Sequence, residues 1–154
     1  EYGGDPRRIF VAGHSAGGYL TSMIGLDKRW LEPYGIDPDT AFVALIPYSG
    51  QVVTHFERRR ELGLPDTQPL VDDMAPLSYV RPDCRPMLIL SGDREREMLG
   101  RYEENAYFWR MMRVAGHPDV RICEFDGFDH GNMPQAGHFA AGRYIREMER
   151  KMER

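Results

Sequence analysis

One serine in this chain sits between glycines placed two positions to either side, Gly13-His14-Ser15-Ala16-Gly17, directly after the apolar run Ile9-Phe10-Val11-Ala12. In a G-x-S-x-G turn the chain reverses from strand into helix so sharply that the positions two before and two after the serine leave no room for a Cβ. The hydroxyl is thereby held out at the tip, where a nucleophile would stand. Serine is a weak nucleophile alone and needs a base to take its proton and an acid to orient the base. For such a turn the partners follow in the order Ser, then Asp or Glu, then His. Met87-Leu88-Ile89-Leu90 is a second buried run leading into Ser91-Gly92-Asp93, which puts Asp93 just past the carboxyl end of a strand. A third run, Val120 to Phe125, leads into Asp126-Gly127-Phe128-Asp129-His130-Gly131-Asn132-Met133 and offers His130 as the base. On this reading His130 takes the Ser15 proton and returns it to the leaving group, while Asp93 fixes the tautomer and stabilises the imidazolium. Glu95, Asp126 and Asp129 lie near the same region; Asp93 is favoured by its place at the strand end, and Asp129 is read as ordering the His130 loop.

Five stretches in order, Asp5-Pro6-Arg7-Arg8-Ile9, Gly13-His14-Ser15-Ala16-Gly17-Gly18, Ala75-Pro76-Leu77-Ser78-Tyr79-Val80, Ser91-Gly92-Asp93-Arg94-Glu95 and Asp129-His130-Gly131-Asn132-Met133, carry a family likeness. The chain resembles the carboxylesterase branch of the α/β-hydrolase family, near bacterial esterase and lipase-like proteins related to kynurenine formamidase and to feruloyl and acetyl-xylan esterases. The resemblance implies an α/β fold of which this is the C-terminal half: a mostly parallel sheet with flanking helices and a lid-like insertion at 51–86. It implies hydrolysis of a small-molecule ester through an acyl-enzyme, with no metal and no cofactor. The backbone N–H of Ala16 would be one oxyanion donor, and His14, Gln51, His55 and Met133 are candidates for the substrate pocket.

Such enzymes take about 250 residues for one domain, whereas this chain has 154 and begins at Glu1. A His-Gly-Gly-Gly motif, which would donate the second oxyanion N–H, does not precede Ser15. The expectation is therefore that an N-terminal half bearing it is missing, leaving Ile9 to Ala12 as an exposed apolar sheet edge that takes up the missing half or self-associates. Amide or formamide hydrolysis by the same residues is the alternative chemistry; a non-catalytic remnant, or one part of a split protein, is the alternative class.

Strand and helix patterns alternate along the chain, as in a parallel sheet with helices on its faces. A helix is predicted from Ser15 to about Lys28, a loop over Trp30 to Thr40, and a strand that takes the apolar run Ala41 to Ile46 and ends at Tyr48-Ser49-Gly50. Between Gln51 and Pro86 the sequence predicts no strand and one short helix around Thr54 to Leu62. In the next helix Tyr102, Ala106, Trp109 and Arg113 form a core stripe, with Gly116 as its stop. In the last, entered through Pro134, the buried face is Ala136, Phe139, Ala140, Ile145 and Met148. A net charge of −4 gives no reason to propose nucleic acid, and no apolar run has the length of a membrane span. Arg58-Arg59-Arg60, between Glu57 and Glu61, reads as a solvated helix face, His117 as a surface residue, and Cys84 and Cys123 as free thiols without metal-ligand spacing.

Overall fold

The computed structural model describes residues 3–98 and 100–153. Four parallel strands form one sheet in the order of the chain: β1 (Phe10–His14), β2 (Ala44–Tyr48), β3 (Met87–Gly92) and β4 (Val120–Phe125). Helices α1 (Ala16–Leu26), α2 (Pro38–Ala41), α3 (Phe56–Glu61), α4 (Arg101–Val114) and α5 (Met133–Met152) connect or follow them. Parallel pairing sends every strand's carboxyl end to the same edge. The register pairs His14 with Tyr48, Tyr48 with Leu90 and Gly92 with Phe125, so the loops bearing the chemistry leave the sheet side by side.

The two-residue period of a strand divides the core into two layers. Leu45, Met87 and Ile89 face one side with Leu26, Val52, Phe108 and Met112, where α1 and α4 lie. Ala44, Ile46, Leu88 and Leu90 face the other with Met133, Ala141, Tyr144 and Met148 of α5. Both inner strands are buried at every residue, whereas β1 is half-buried apart from an exposed Ala12. Among the described residues β1 pairs only with β2, so its other edge is open, as expected for Ile9 to Ala12. No described helix is long and apolar enough to cross a membrane.

The elements differ from the sequence reading where polar residues carry the burial. Asp37 caps α2 by accepting the Asp39 N–H, and this short helix takes Ala41, so β2 starts at Ala44. The buried face of α4 is Arg101, Asn105, Phe108 and Met112, one step round the helix from the expected stripe, because two of its members are polar and donate to the buried carbonyls of Ser49 and Gly50. On α5 the buried residues are Met133, Gly137, Ala141, Tyr144 and Met148, while Phe139 is 80% exposed. Gly137 lies where any Cβ would strike the Tyr48 ring, so a glycine, invisible to an apolar count, sets that face. His117 is buried, with Nε2–H donated to the Cys84 carbonyl and Nδ1 accepting the Asp119 N–H. Arg59 is also buried, donating to the carbonyls of Asp66 and Gln68, while its neighbours Arg58 and Arg60 form exposed ion pairs.

Close backbone approach anchors α1 on the sheet. A Cβ on Gly18 would lie 2.8 Å from both Gly50 Cα and the Tyr48 carbonyl oxygen. Replacing Gly18 by alanine should therefore destabilise the chain by about 1–3 kcal/mol in urea denaturation. Gly17→Ala, whose Cβ meets no neighbouring atom within 4 Å, should be neutral or slightly stabilising.

Candidate active site

Ser15 stands between β1 and α1 at φ 57° and ψ −114°, a left-handed backbone that costs a non-glycine residue energy and persists only where the surroundings enforce it. They do so from both sides. The Ser15 N–H donates to the Tyr48 carbonyl at 2.9 Å, and its own carbonyl accepts the Tyr19 N–H at 3.0 Å. A Cβ on Gly13 would strike the Gly17 carbonyl, so glycine is required there. The crowding is one-sided: Gly17, expected to be equally constrained, has open space where its Cβ would go. Ala16 opens α1 at its first position, where the helix has no acceptor of its own for the amide N–H.

The turn aims the Ser15 hydroxyl at His130, with Oγ 2.9 Å from Nε2. On the far side of the ring the Nδ1 atom lies 2.5 Å from Glu97 Oε1. An ionised carboxylate only accepts, so Nδ1 carries the proton and Nε2 is left to accept from the serine. The imidazole thus has the tautomer a general base needs. Asp129 orders the loop that presents it, accepting the N–H groups of Gly131 and Asn132 at 2.9 and 3.0 Å.

Glu97, not Asp93, occupies the orienting position. Asp93 stands at the strand end as expected, but its carboxylate accepts the Glu95 and Gly127 N–H groups at 2.8 and 2.7 Å and makes no hydrogen bond to His130. Its carbonyl accepts the N–H groups of Arg96 and Glu97, closing a turn that swings Glu97 back under the imidazole. The Glu97 side chain is fully buried. Burial pushes its carboxyl up, but hydrogen bonds from His130, Ser49 and the Met98 N–H outweigh this and hold it down at about 2. No strand-end rule points to a residue four positions into a loop; the one local signal was a third acidic side chain in Asp93-Arg94-Glu95-Arg96-Glu97.

The four remaining candidates have four different settings. His14 lies against the His130 ring, centroids 4.7 Å apart, and donates Nε2–H to the His130 carbonyl at 2.9 Å. Burial and the neighbouring His130 lower its pKa, which favours the neutral ring. Gln51 lines a cavity of about 430 Å³ between the 51–69 segment and the start of α4, together with Phe56, Arg59, Met98 and Arg101; Ser15 and His130 do not line it. His55 caps α3 by accepting the Glu57 N–H and stacks on Phe56. Met133 does not face a pocket: it is fully buried in the core beneath α5, because the helix turns that side chain toward β2 and β3.

The chain is similar in sequence and in fold to known esterases. Esterase LipQ of Mycobacterium tuberculosis is 30% identical over 145 residues, spanning 84% of this chain and 34% of the relative. The probable carboxylic ester hydrolase LipM of the same organism is 28% identical over 139 residues, 78% of this chain and 31% of the relative. The chain therefore spans about a third of the length of these curated relatives. The apo form of Thermogutta terrifontis esterase 2 superposes with a TM-score of 0.70 at 25% identity, over 95% of this chain and 57% of that one. Pyrococcus horikoshii acylaminoacyl peptidase shares the fold, with a TM-score of 0.65 at 19% identity over 97% of this chain and 25% of the other. No family model matches the chain.

The lowered carboxyl of Glu97 sets a pH dependence of stability. Its folded pKa lies near 2 against an ordinary value of 4.5, so its contribution is complete above about pH 4.5 and disappears as pH falls toward 2. Glu97→Gln should accordingly be less stable than the parent near neutrality. The pH-dependent part of that deficit, on the order of 3 kcal/mol, should vanish on acidification through this window when unfolding is followed by urea titration at several pH values.

Proposed function

Because the chain belongs to the α/β-hydrolase family, we propose that in its full-length protein it hydrolyses small carboxylic esters, with Ser15 as nucleophile, His130 as general base and acid, and Glu97 as the orienting carboxylate. The observation carrying this reading is the continuous chain from Ser15 Oγ to His130 Nε2 at 2.9 Å and from His130 Nδ1 to Glu97 at 2.5 Å. In acylation the Ser15 proton moves to Nε2 as Oγ bonds to the ester carbonyl carbon. The tetrahedral oxyanion takes the Ala16 N–H, and collapse breaks the bond to the alcohol oxygen, which receives the proton from Nε2. Water then repeats the sequence against the acyl-enzyme, giving the free acid and restoring the serine. Glu97 keeps its negative charge throughout and stabilises the imidazolium formed in each half.

The second oxyanion donor is assigned to the part of the longer relatives that lies outside this match, in keeping with the open edge of β1. The 51–86 insertion is assigned to the wall of the cavity beside the Glu97 loop, which its first half lines together with the start of α4. In the full-length protein a fluorophosphonate probe should label Ser15, and Ser15→Ala should abolish both labelling and turnover of a short-chain aryl ester. Glu97→Gln should lower kcat by roughly 10²–10⁴-fold, whereas Asp93→Asn should cause a much smaller loss. Full turnover by Ser15→Ala, or the reverse order for the two acidic positions, would discard this assignment.

A further inference from the structure

Two described non-glycine residues have a left-handed backbone, Ser15 at φ 57° and Ser49 at φ 45°. They are neighbours by construction: His14 and Tyr48 are paired in the parallel register, so each serine is the first residue past its strand at the same edge. Ser49 is completely buried. Its hydroxyl donates to Glu97 Oε2 at 2.6 Å, leaving an oxygen lone pair 3.2 Å from His130 Nδ1. The Nδ1–H is thus shared between Glu97 and Ser49, while the carboxylate, which can only accept, commits the Ser49 proton to itself.

From these contacts we propose that Ser49 is a positioning residue of the same site, its hydroxyl holding the Glu97 carboxylate and the His130 ring in their mutual orientation. The proposal rests on the hydrolase reading of Ser15, His130 and Glu97. Glycine would suit the Ser49 backbone better than serine does, because positive φ carries no steric penalty without a Cβ. The strained conformation is enforced from outside. The Ser49 N–H donates to the Leu90 carbonyl at 2.6 Å, and its carbonyl accepts from Arg101 Nη1 at 2.5 Å. Asn105 Nδ2 holds the next carbonyl, that of Gly50, and Glu104 accepts the N–H groups of Val52 and Val53. Three buried or half-buried polar groups of α4 thus fasten the segment that presents one hydroxyl to Glu97. A residue that only filled space would need no such arrangement. The charged and titratable groups around it are Glu97, His130, His14 against the His130 ring, and the Arg101 guanidinium at its carbonyl.

Two variants of the full-length protein separate the hydroxyl from the backbone. Ser49→Ala removes the hydroxyl and keeps the Cβ, whereas Ser49→Gly removes the hydroxyl and relieves the strain, so the glycine variant should fold at least as well. Both should lower kcat by roughly 10- to 100-fold with little change in KM, the scale expected for one hydrogen bond to a charged group. In both, the low-field proton resonance of His130 Nδ1–H should shift or broaden. That resonance reads the Ser49, Glu97 and His130 arrangement without turnover, so a protein lacking esterase activity would sink the ester reading and still test this one. Wild-type kcat in Ser49→Gly, or an unmoved resonance in both variants, would overturn the proposal.

Discussion

The Glu97 carboxylate is the point on which the site's geometry converges. A buried anion is tolerated only when its lone pairs are filled, and this one accepts from His130 Nδ1, the Ser49 hydroxyl, and the N–H groups of Gly92 and Met98. Those donors come from the loop after β4, the end of β2 and the end of β3 with its following turn. One charge therefore joins three of the four strand ends, and through His130 it reaches the fourth at Ser15. Its contact with Nδ1 holds the imidazole from the side opposite Ser15.

Around this hub the fold supplies rigidity at positions that would otherwise relax. Ser15 and Ser49 hold strained backbones because neighbouring carbonyls and N–H groups leave them no alternative partners. The buried Arg101 and Glu104 form an ion pair at 2.9 Å. Burial raises the Glu104 pKa despite that pair, the mark of a charged group kept indoors at a cost. What offsets the cost is organisation of the Ser49–Val53 segment, the first stretch of backbone behind Glu97. Strain and buried charge are thus concentrated at the sheet edge where Ser15 and His130 meet.

Sequence reading went furthest where one physical requirement operates over a few adjacent residues. The close packing at Gly13, the apolar runs of β2 and β3, and the loop ordered by Asp129 all follow from local crowding, burial and short-range hydrogen bonding. It failed where burial is carried by groups with no apolar signature. Arg59, Arg101, Asn105 and His117 are inside because they donate to backbone carbonyls of other segments, and none of those partners is adjacent in sequence. Phe139 is outside because Gly137 and Ala141, two small residues, define the face of α5 that fits against the Tyr48 ring.

The elbow serine, the histidine loop, their order and the alternation of strands with helices were determined by the sequence alone, since each depends on patterns spanning at most a single turn or strand. Which carboxylate meets the histidine was decided only by tertiary structure. Asp93 and Glu97 lie on the same short loop, and both are acidic residues past a strand end. Asp93 is spent on that loop and its β4 neighbour, accepting the Glu95 and Gly127 N–H groups, and the turn it closes carries Glu97 inward to the ring. The choice depends on how the loops after β3 and β4 lie against each other, a relation between segments about thirty residues apart that no local spacing encodes.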